Sequence, residues 1–75
     1  MREKIIAVIS KVSKISENEL IKNFAAEKLW DSLKHIEVVL VLEEEFGVMF
    51  EREEIALMRS VKNIEDILLS KGVKQ

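Results

Sequence analysis

The fold is decided by residues 29–47, which read LWDSLKHIEVVLVLEEEFG. On a helical wheel at about 100° per residue, the apolar residues of this stretch fall on two arcs, whereas a helix of a small domain usually needs one apolar stripe. The first arc is predicted to face the core and contains His35, Val38, Val39, Leu42 and Phe46. The second arc mixes apolar and acidic residues and contains Ser32, Leu33, Ile36, Glu37, Leu40, Glu43 and Glu44. The second arc therefore needs an explanation beyond packing of the core.

Both ends of this helix carry recognisable signals. The helix is predicted to begin near Asp31 or Ser32, since either side chain can cap a helix N-terminus, and to end at Phe46, because Gly47 can adopt the left-handed conformation that ends helices. Neither candidate cap forms a capping box with the residue three positions later. If Asp31 is the cap, the hydroxyl of Ser32 is free, at the end of the helix dipole that favours a phosphate group.

The rest of the chain is predicted to be helical as well. Ile5, Val8, Ile9, Val12 and Ile15 share the spacing of one helix face. Residues 16–30 are interpreted as a long loop, in which a helical turn over residues 18–22 is one option, held to the core by Leu20, Phe24 and Leu29. A short helix follows over residues 51–57. Ser60 caps a last helix that ends at Gly72. We therefore expect an all-α four-helix bundle, with residues 1–75 as one domain.

Composition excludes several function classes. The chain of 75 residues has no cysteine, which excludes disulfides, cysteine–zinc sites and thiol catalysis. Its longest apolar run, residues 38–42, is too short to span a bilayer, and no signal peptide is recognisable, so a cytoplasmic location is expected. The net charge of −2 is unevenly distributed along the chain, because residues 31–54 carry eight acidic and two basic side chains. Such an acidic surface would repel a phosphate backbone and attract basic proteins, so nucleic acid is not an expected partner.

The second arc has two interpretations from the residues alone. Leu33, Ile36 and Leu40 could be covered by a second layer of the bundle, or they could form a surface on which isolated apolar side chains and carboxylates meet a basic, apolar partner. The acidic run over residues 43–45 opposes the helix dipole at the C-terminus of the helix. Solubility alone could account for that run, as could binding of a partner.

The sequence DSL at the start of a helix, followed by LEEEFG in register, resembles the acyl carrier proteins and related carrier domains. The resemblance covers nearly the whole chain and includes its length and its acidic middle. It implies that Ser32 carries 4′-phosphopantetheine through a phosphodiester, with Asp31 and Leu33 as the flanking residues of the motif. A phosphopantetheinyl transferase would donate that group from coenzyme A, and the thiol of the arm would hold an acyl or aminoacyl group as a thioester.

The resemblance also implies a role in fatty-acid or specialised biosynthesis, without catalysis by the chain itself. The partner-binding residues implied are Ile36, Glu37, Leu40, Glu43 and Glu44, which would meet basic docking patches on the transferase and on acyl- or aminoacyl-transferring enzymes. They belong to the second arc of the helical wheel. The chain is expected to act as a monomer.

Three positions depart from the common pattern of the family. Leu29 stands where glycine is usual, Trp30 precedes the aspartate, and Lys34 follows DSL where carriers of fatty-acid synthesis commonly have an acidic residue. The WDSL form resembles stand-alone carriers of specialised pathways, such as aminoacyl or D-alanyl transfer, modification of surface polysaccharides, or secondary metabolism. Trp30 could also simply seal the loop against the bundle.

Catalysis and metal binding are two alternatives to the carrier function. Ser32 and His35 lie one helical turn apart and could act as nucleophile and base, but His35 falls on the core arc, so a structural histidine is favoured. The glutamates of residues 43–45 diverge by about 100° from one to the next and are not expected to converge on a metal ion. The remaining alternative is an unmodified acidic helical module that binds a basic protein.

Overall fold

Helices account for all the regular secondary structure of residues 1–74, the part of the chain that the computed structural model describes. The helices are α1 (Arg2–Ser13), α2 (Glu17–Lys22), α3 (Ser32–Phe46), α4 (Arg52–Leu57) and α5 (Val61–Ser70). The prediction of an all-α chain is confirmed. The number of helices differs from the prediction, since residues 1–74 contain five where four were expected.

The extra helix is α2, which lies in the segment interpreted as a long loop. Ser16 caps it by accepting a hydrogen bond from the backbone N–H of Glu19 at 3.2 Å, and Leu20 is its one buried residue. A helix of six residues makes fewer than two turns, so it leaves no repeating apolar stripe in the sequence. The optional turn predicted over residues 18–22 is one residue shorter than α2, which begins at Glu17.

The ends of α3 agree with the prediction. Asp31 is the N-cap, and its Oδ1 accepts a hydrogen bond from the backbone N–H of Lys34 at 2.8 Å. Gly47 follows the helix with φ of 64°, in the left-handed region that favours glycine. Asp31 therefore caps the helix, and Ser32 is the first residue of its first turn.

The core lies where α1 packs against α3 and α5. α3 contributes Val38, Val39, Leu42 and His35 as buried residues, while Phe46 is half-buried. On α1, the predicted face is buried at Ile5, Val8 and Ile9 and half-buried at Val12. Ile15 lies beyond the end of α1 and is half-buried. The first arc of α3 is thus the core face.

The last two helices begin close to the predicted positions. Glu51 is the N-cap of α4, and the buried Ser60 caps α5 by accepting a hydrogen bond from the N–H of Asn63 at 3.0 Å. α5 ends two residues before Gly72, which has φ of 88°. Lys71 and Glu54 form an ion pair at 2.9 Å and so tie the end of α5 to α4.

Within the described residues 1–74, no helix is long and apolar enough to cross a membrane.

Candidate functional site

Ser32 differs from the other serines of the chain. The hydroxyls of Ser13, Ser16, Ser60 and Ser70 all take part in hydrogen bonds to the backbone, and Ser10 is half-buried within α1. Ser32 is exposed, and within residues 1–74 its hydroxyl makes no hydrogen bond to protein. Its Oγ is therefore available for reaction.

The surroundings of Ser32 suit an anionic group attached to it. Asp31 occupies the N–H of Lys34, which leaves the N–H groups of Ser32 and Leu33 in the first helical turn without an intrahelical acceptor. These N–H groups form the positive end of the helix dipole. The ammonium of Lys34 lies 3.6 Å from a carboxylate oxygen of Glu37, so the positive field beside Ser32 comes mainly from the helix itself.

The apolar residues of the second arc lie in solvent. Leu33 is 79% exposed, Leu40 60% and Ile36 55%. The interpretation in which a second layer of the bundle covers them is therefore wrong. Three large aliphatic side chains on one helix face are exposed, although their burial would have been favourable. Such a patch is typical of a surface that binds a partner.

The acidic residues of the same face are not equivalent. Glu37 and Glu44 are exposed. Glu43 is half-buried, and its Oε2 accepts a hydrogen bond from the backbone N–H of Phe50 at 2.8 Å. Glu43 thus holds the loop between α3 and α4 and has one carboxylate oxygen committed to the fold. Helical periodicity does not indicate this contact.

Beneath the first turn of α3 lies a buried polar pair, formed by Trp30 and His35. The indole N–H of Trp30 donates to Nδ1 of His35 at 2.9 Å. An indole can only donate, so Nδ1 is the acceptor and the proton lies on Nε2, which donates to the carbonyl of Ile55 at 2.7 Å. Both ring nitrogens are occupied, and neither is free to act as a base for Ser32.

The same surroundings keep His35 neutral. Burial lowers the pKa of His35, and the nearby charge of Arg59 lowers it further, while the hydrogen bond to Ile55 acts in the opposite direction. The interpretation of His35 as a structural histidine agrees with its position. Trp30 seals the loop against the bundle, which was one of the two interpretations of this residue. The hydrogen bond that joins the two residues was not foreseen.

The chain is 30% identical over 71 residues to the acyl carrier protein of Thermosynechococcus vestitus (strain NIES-2133 / IAM M-273 / BP-1). The alignment covers 92% of this chain and 88% of that relative. The chain belongs to the acyl carrier protein family. No family model matches it, so the assignment rests on this relative, and the helical fold is consistent with it.

In this member of the carrier family, four large apolar residues outside the second arc are also exposed, namely Ile21, Met49, Leu57 and Leu69. Met49 is 77% exposed in the loop before α4, and Leu57 is 62% exposed at the end of α4. Neither belongs to a repeating apolar pattern, because Met49 lies outside any helix and α4 has only six residues. No signal in the sequence would have separated them from core residues.

Residues 1–74 contain no cluster of potential metal ligands. Among residues 1–74, no group of three His, Asp or Glu side chains is close enough to hold an ion. The glutamates of residues 43–45 differ in burial and in partners, as described for Glu43.

Proposed function

We propose that residues 1–75 form a single carrier domain that holds acyl or aminoacyl cargo on 4′-phosphopantetheine attached to Ser32. The observation that carries the proposal is the hydroxyl of Ser32, which is exposed at the start of α3 and makes no hydrogen bond within residues 1–74. Membership of the acyl carrier protein family supports it. In this role the chain is not itself an enzyme.

The residues around Ser32 fit the proposed group. In the loading reaction, Oγ of Ser32 forms a bond to a phosphorus atom of coenzyme A, the nucleotide half leaves, and the hydroxyl proton passes to the transferase. The product phosphodiester is an anion at the N-terminus of α3, where the helix dipole favours it. Asp31 fixes this end of the helix by capping it, and Leu33 flanks the site in solvent. The bound group supplies a thiol, which a chain without cysteine lacks, for carrying cargo as a thioester.

The exposed face of α3 is the proposed docking surface. We assign to it Ile36 and Leu40 as apolar contacts and Glu37, Glu43 and Glu44 as acidic ones. Its partners would be the phosphopantetheinyl transferase and enzymes that transfer acyl or aminoacyl groups through basic patches. Carboxylates around an apolar centre suit such partners, because they speed encounter while the apolar residues provide contact area. The half-buried Glu43 has only part of its carboxylate free for this purpose.

The pathway is proposed only as a class, that of lipid or specialised biosynthesis. The WDSL sequence at residues 30–33 and Lys34 favour a stand-alone carrier of a specialised pathway over the carrier of general fatty-acid synthesis. We place the carrier in the cytoplasm, acting as a monomer in lipid or specialised biosynthesis.

The proposal is tested by loading the purified chain with coenzyme A and a broad-specificity phosphopantetheinyl transferase, and by measuring the intact mass. We expect the mass to rise by one phosphopantetheinyl group in the native chain and not in Ser32→Ala. Ser70→Ala is a matched control, since Ser70 is also exposed at one end of a helix, and it should load normally. An unchanged mass of the native chain, or loading of Ser32→Ala, would contradict the proposal.

The exposed apolar and acidic face also fits a second function, that of an unmodified module that binds a basic protein. The same loading experiment separates the two functions. The module would bind its partner equally well as Ser32→Ala, whereas the carrier would lose its function in that variant.

A further inference from the structure

The shelter available to cargo is decided by what lies beneath the first turn of α3. The phosphopantetheine arm that bears the cargo leaves the chain at Ser32 in this turn, and the part of the bundle interior beneath it is filled by Trp30, two residues earlier, and His35, one turn later. Trp30 is 4% exposed and His35 5% exposed. Their rings stack with centroids 6.2 Å apart and planes inclined by 21°. The interior next to Ser32 is therefore occupied by two rings in contact with each other.

These rings also bridge α3 to α4. The chain of hydrogen bonds runs from the indole N–H of Trp30 to Nδ1 of His35, and from Nε2 of His35 to the carbonyl of Ile55 in α4. A hydrocarbon chain that enters between α3 and α4 from the side of Ser32 has to displace this bridge.

The backbone of Trp30 is held as well as its side chain. A guanidinium nitrogen of Arg59 donates to the carbonyl of Trp30 at 2.6 Å. The carbonyl of Arg59 in turn accepts a hydrogen bond from the N–H of Lys28 at 2.9 Å. The loop before α3 is thus fastened to the segment before α5, and the indole cannot swing out as part of a loose loop.

Displacing Trp30 by hydrocarbon is unfavourable. It leaves the buried Nδ1 of His35 without its donor, and a saturated chain has no group to replace that hydrogen bond. A small polar cargo gains nothing from entering either, because it keeps its hydrogen bonds to water outside the bundle.

A second space, a groove of about 670 Å³ between α1 and α3, is open to solvent and does not enclose a hydrocarbon chain. It is lined by apolar residues such as Val8 and Val41 and by seven charged residues. These are Lys4, Lys11, Lys14, Lys34, Glu37, Glu44 and Glu45. A long saturated chain laid along the groove would separate these charges from water.

We propose that Trp30, held by His35 and Arg59, closes the bundle interior to cargo, so that this chain carries acyl groups that are short or polar enough to remain in water. Trp30 is then a residue that determines cargo specificity. The inference rests on the proposed attachment at Ser32 and names the chemical class of the cargo.

The test compares the thermal stability of the full chain bearing short and long acyl groups. The holo-protein is loaded with acetyl or octanoyl groups, and Tm is measured for the native chain and for Trp30→Leu. In the native chain we expect the two groups to give the same Tm. In Trp30→Leu, the space left by the indole admits the longer chain, and octanoyl should raise Tm by more than about 5 °C over acetyl.

Two further variants make the comparison specific. Phe24→Leu removes a ring that lies against Arg2 of α1, and it should show no dependence on chain length. If Trp30→Leu does not fold, Trp30→Phe keeps a ring but removes the indole N–H and opens a smaller space.

A cysteine at position 32 makes the test independent of the transferase. Because the chain has no other cysteine, the thiol of Ser32→Cys adds across the double bond of an N-ethyl- or N-octylmaleimide at that position alone. The dependence of Tm on chain length is then measured without phosphopantetheine. If enzymatic loading fails but this series behaves as expected, the proposed function is wrong while the closure by Trp30 is upheld.

Two results would overturn the inference. A native chain that is stabilised by octanoyl relative to acetyl would show that the interior admits hydrocarbon. An equal Tm for both groups in all Trp30 variants would show that Trp30 is not what closes it.

Discussion

The two faces of α3 have similar apolar residues and opposite environments. Leu42 and Val38 are fully buried against the rest of the bundle, whereas Leu40 and Ile36, two residues before each of them, are more than half exposed. Composition along the helix does not distinguish the faces, since leucine and a branched aliphatic residue occur on both. What distinguishes them is the neighbouring charge, because Glu37 and Glu44 accompany the exposed face.

Under the proposed function, α3 serves stability through its core face and recognition through its exposed face. Removal of a side chain from the core face should change the free energy of unfolding and leave the docking surface intact. Removal from the exposed face should do the reverse. The first three of the following predictions test this separation, and the fourth concerns the buried face alone.

The largest effect is expected for truncation of the core face. Leu42→Ala should lower the free energy of unfolding by about 2–5 kcal/mol, because it leaves a cavity where a fully buried leucine was. The matched variant Leu40→Ala should change it by no more than about 0.5 kcal/mol. Urea denaturation measures both. Equal losses in the two variants would mean that the exposed face also supports the fold.

The next effect concerns the charge of the exposed face. Glu37→Lys combined with Glu44→Lys should slow loading by the transferase by about tenfold, since the reversed charges repel a basic partner. The far-ultraviolet circular dichroism should stay the same. The control Glu17→Lys with Glu27→Lys makes the same charge change at exposed positions outside α3 and should load at nearly the native rate. Unchanged loading of the α3 variant would show that the exposed face of α3 does not dock the transferase.

A smaller effect is expected at the cap of α3. Asp31→Ala should lower the free energy of unfolding by about 1 kcal/mol, because the N–H of Lys34 loses its acceptor. Asp31→Asn keeps a capping oxygen and should be close to native in stability. If Asp31→Asn is stable but loads slowly, the charge of Asp31 serves the transferase rather than the helix. Equal loading of the native chain and of Asp31→Asn would show that Asp31 serves only to cap the helix.

The smallest effect is the contribution of His35 to the pH dependence of stability. The pKa of His35 is lowered in the folded chain, so below its ordinary value of about 6.5 the unfolded chain binds more protons than the folded one. Stability should therefore fall as the pH drops below about 6.5. His35→Gln should flatten this decline in urea denaturation between about pH 5 and 7. The lowered pKa values of Glu3 and Glu54 act in the same direction, but only below their ordinary value of 4.5. An equally steep decline in His35→Gln would show that another group is responsible.

Much of α3 could be predicted because its signals are local. The cap at Asp31 and the glycine at position 47 act on backbone groups within a few residues. The two arcs follow from helical periodicity alone. Whether the second arc was covered or exposed depended on the other helices, and periodicity left both outcomes open.

The rest of the site depends on contacts between distant residues. The partner of Trp30 is His35 on α3, and the partner of its carbonyl is Arg59 just before α5. The hydrogen bond of Glu43 to Phe50 depends on the course of the loop after Gly47. The helix α2 was expected only as an optional turn within a loop for a different reason, because its one buried residue leaves no periodic pattern.

Peptide mapping shows whether Ser32, at the start of α3, is the residue that is modified. Trypsin cleaves after Lys28 and Lys34, and Ser32 is the one hydroxyl residue in the peptide of residues 29–34. After loading with coenzyme A and the transferase, we expect the phosphopantetheinyl mass on this peptide. The same mass on a peptide that contains another serine, or no added mass on any peptide, would contradict the account.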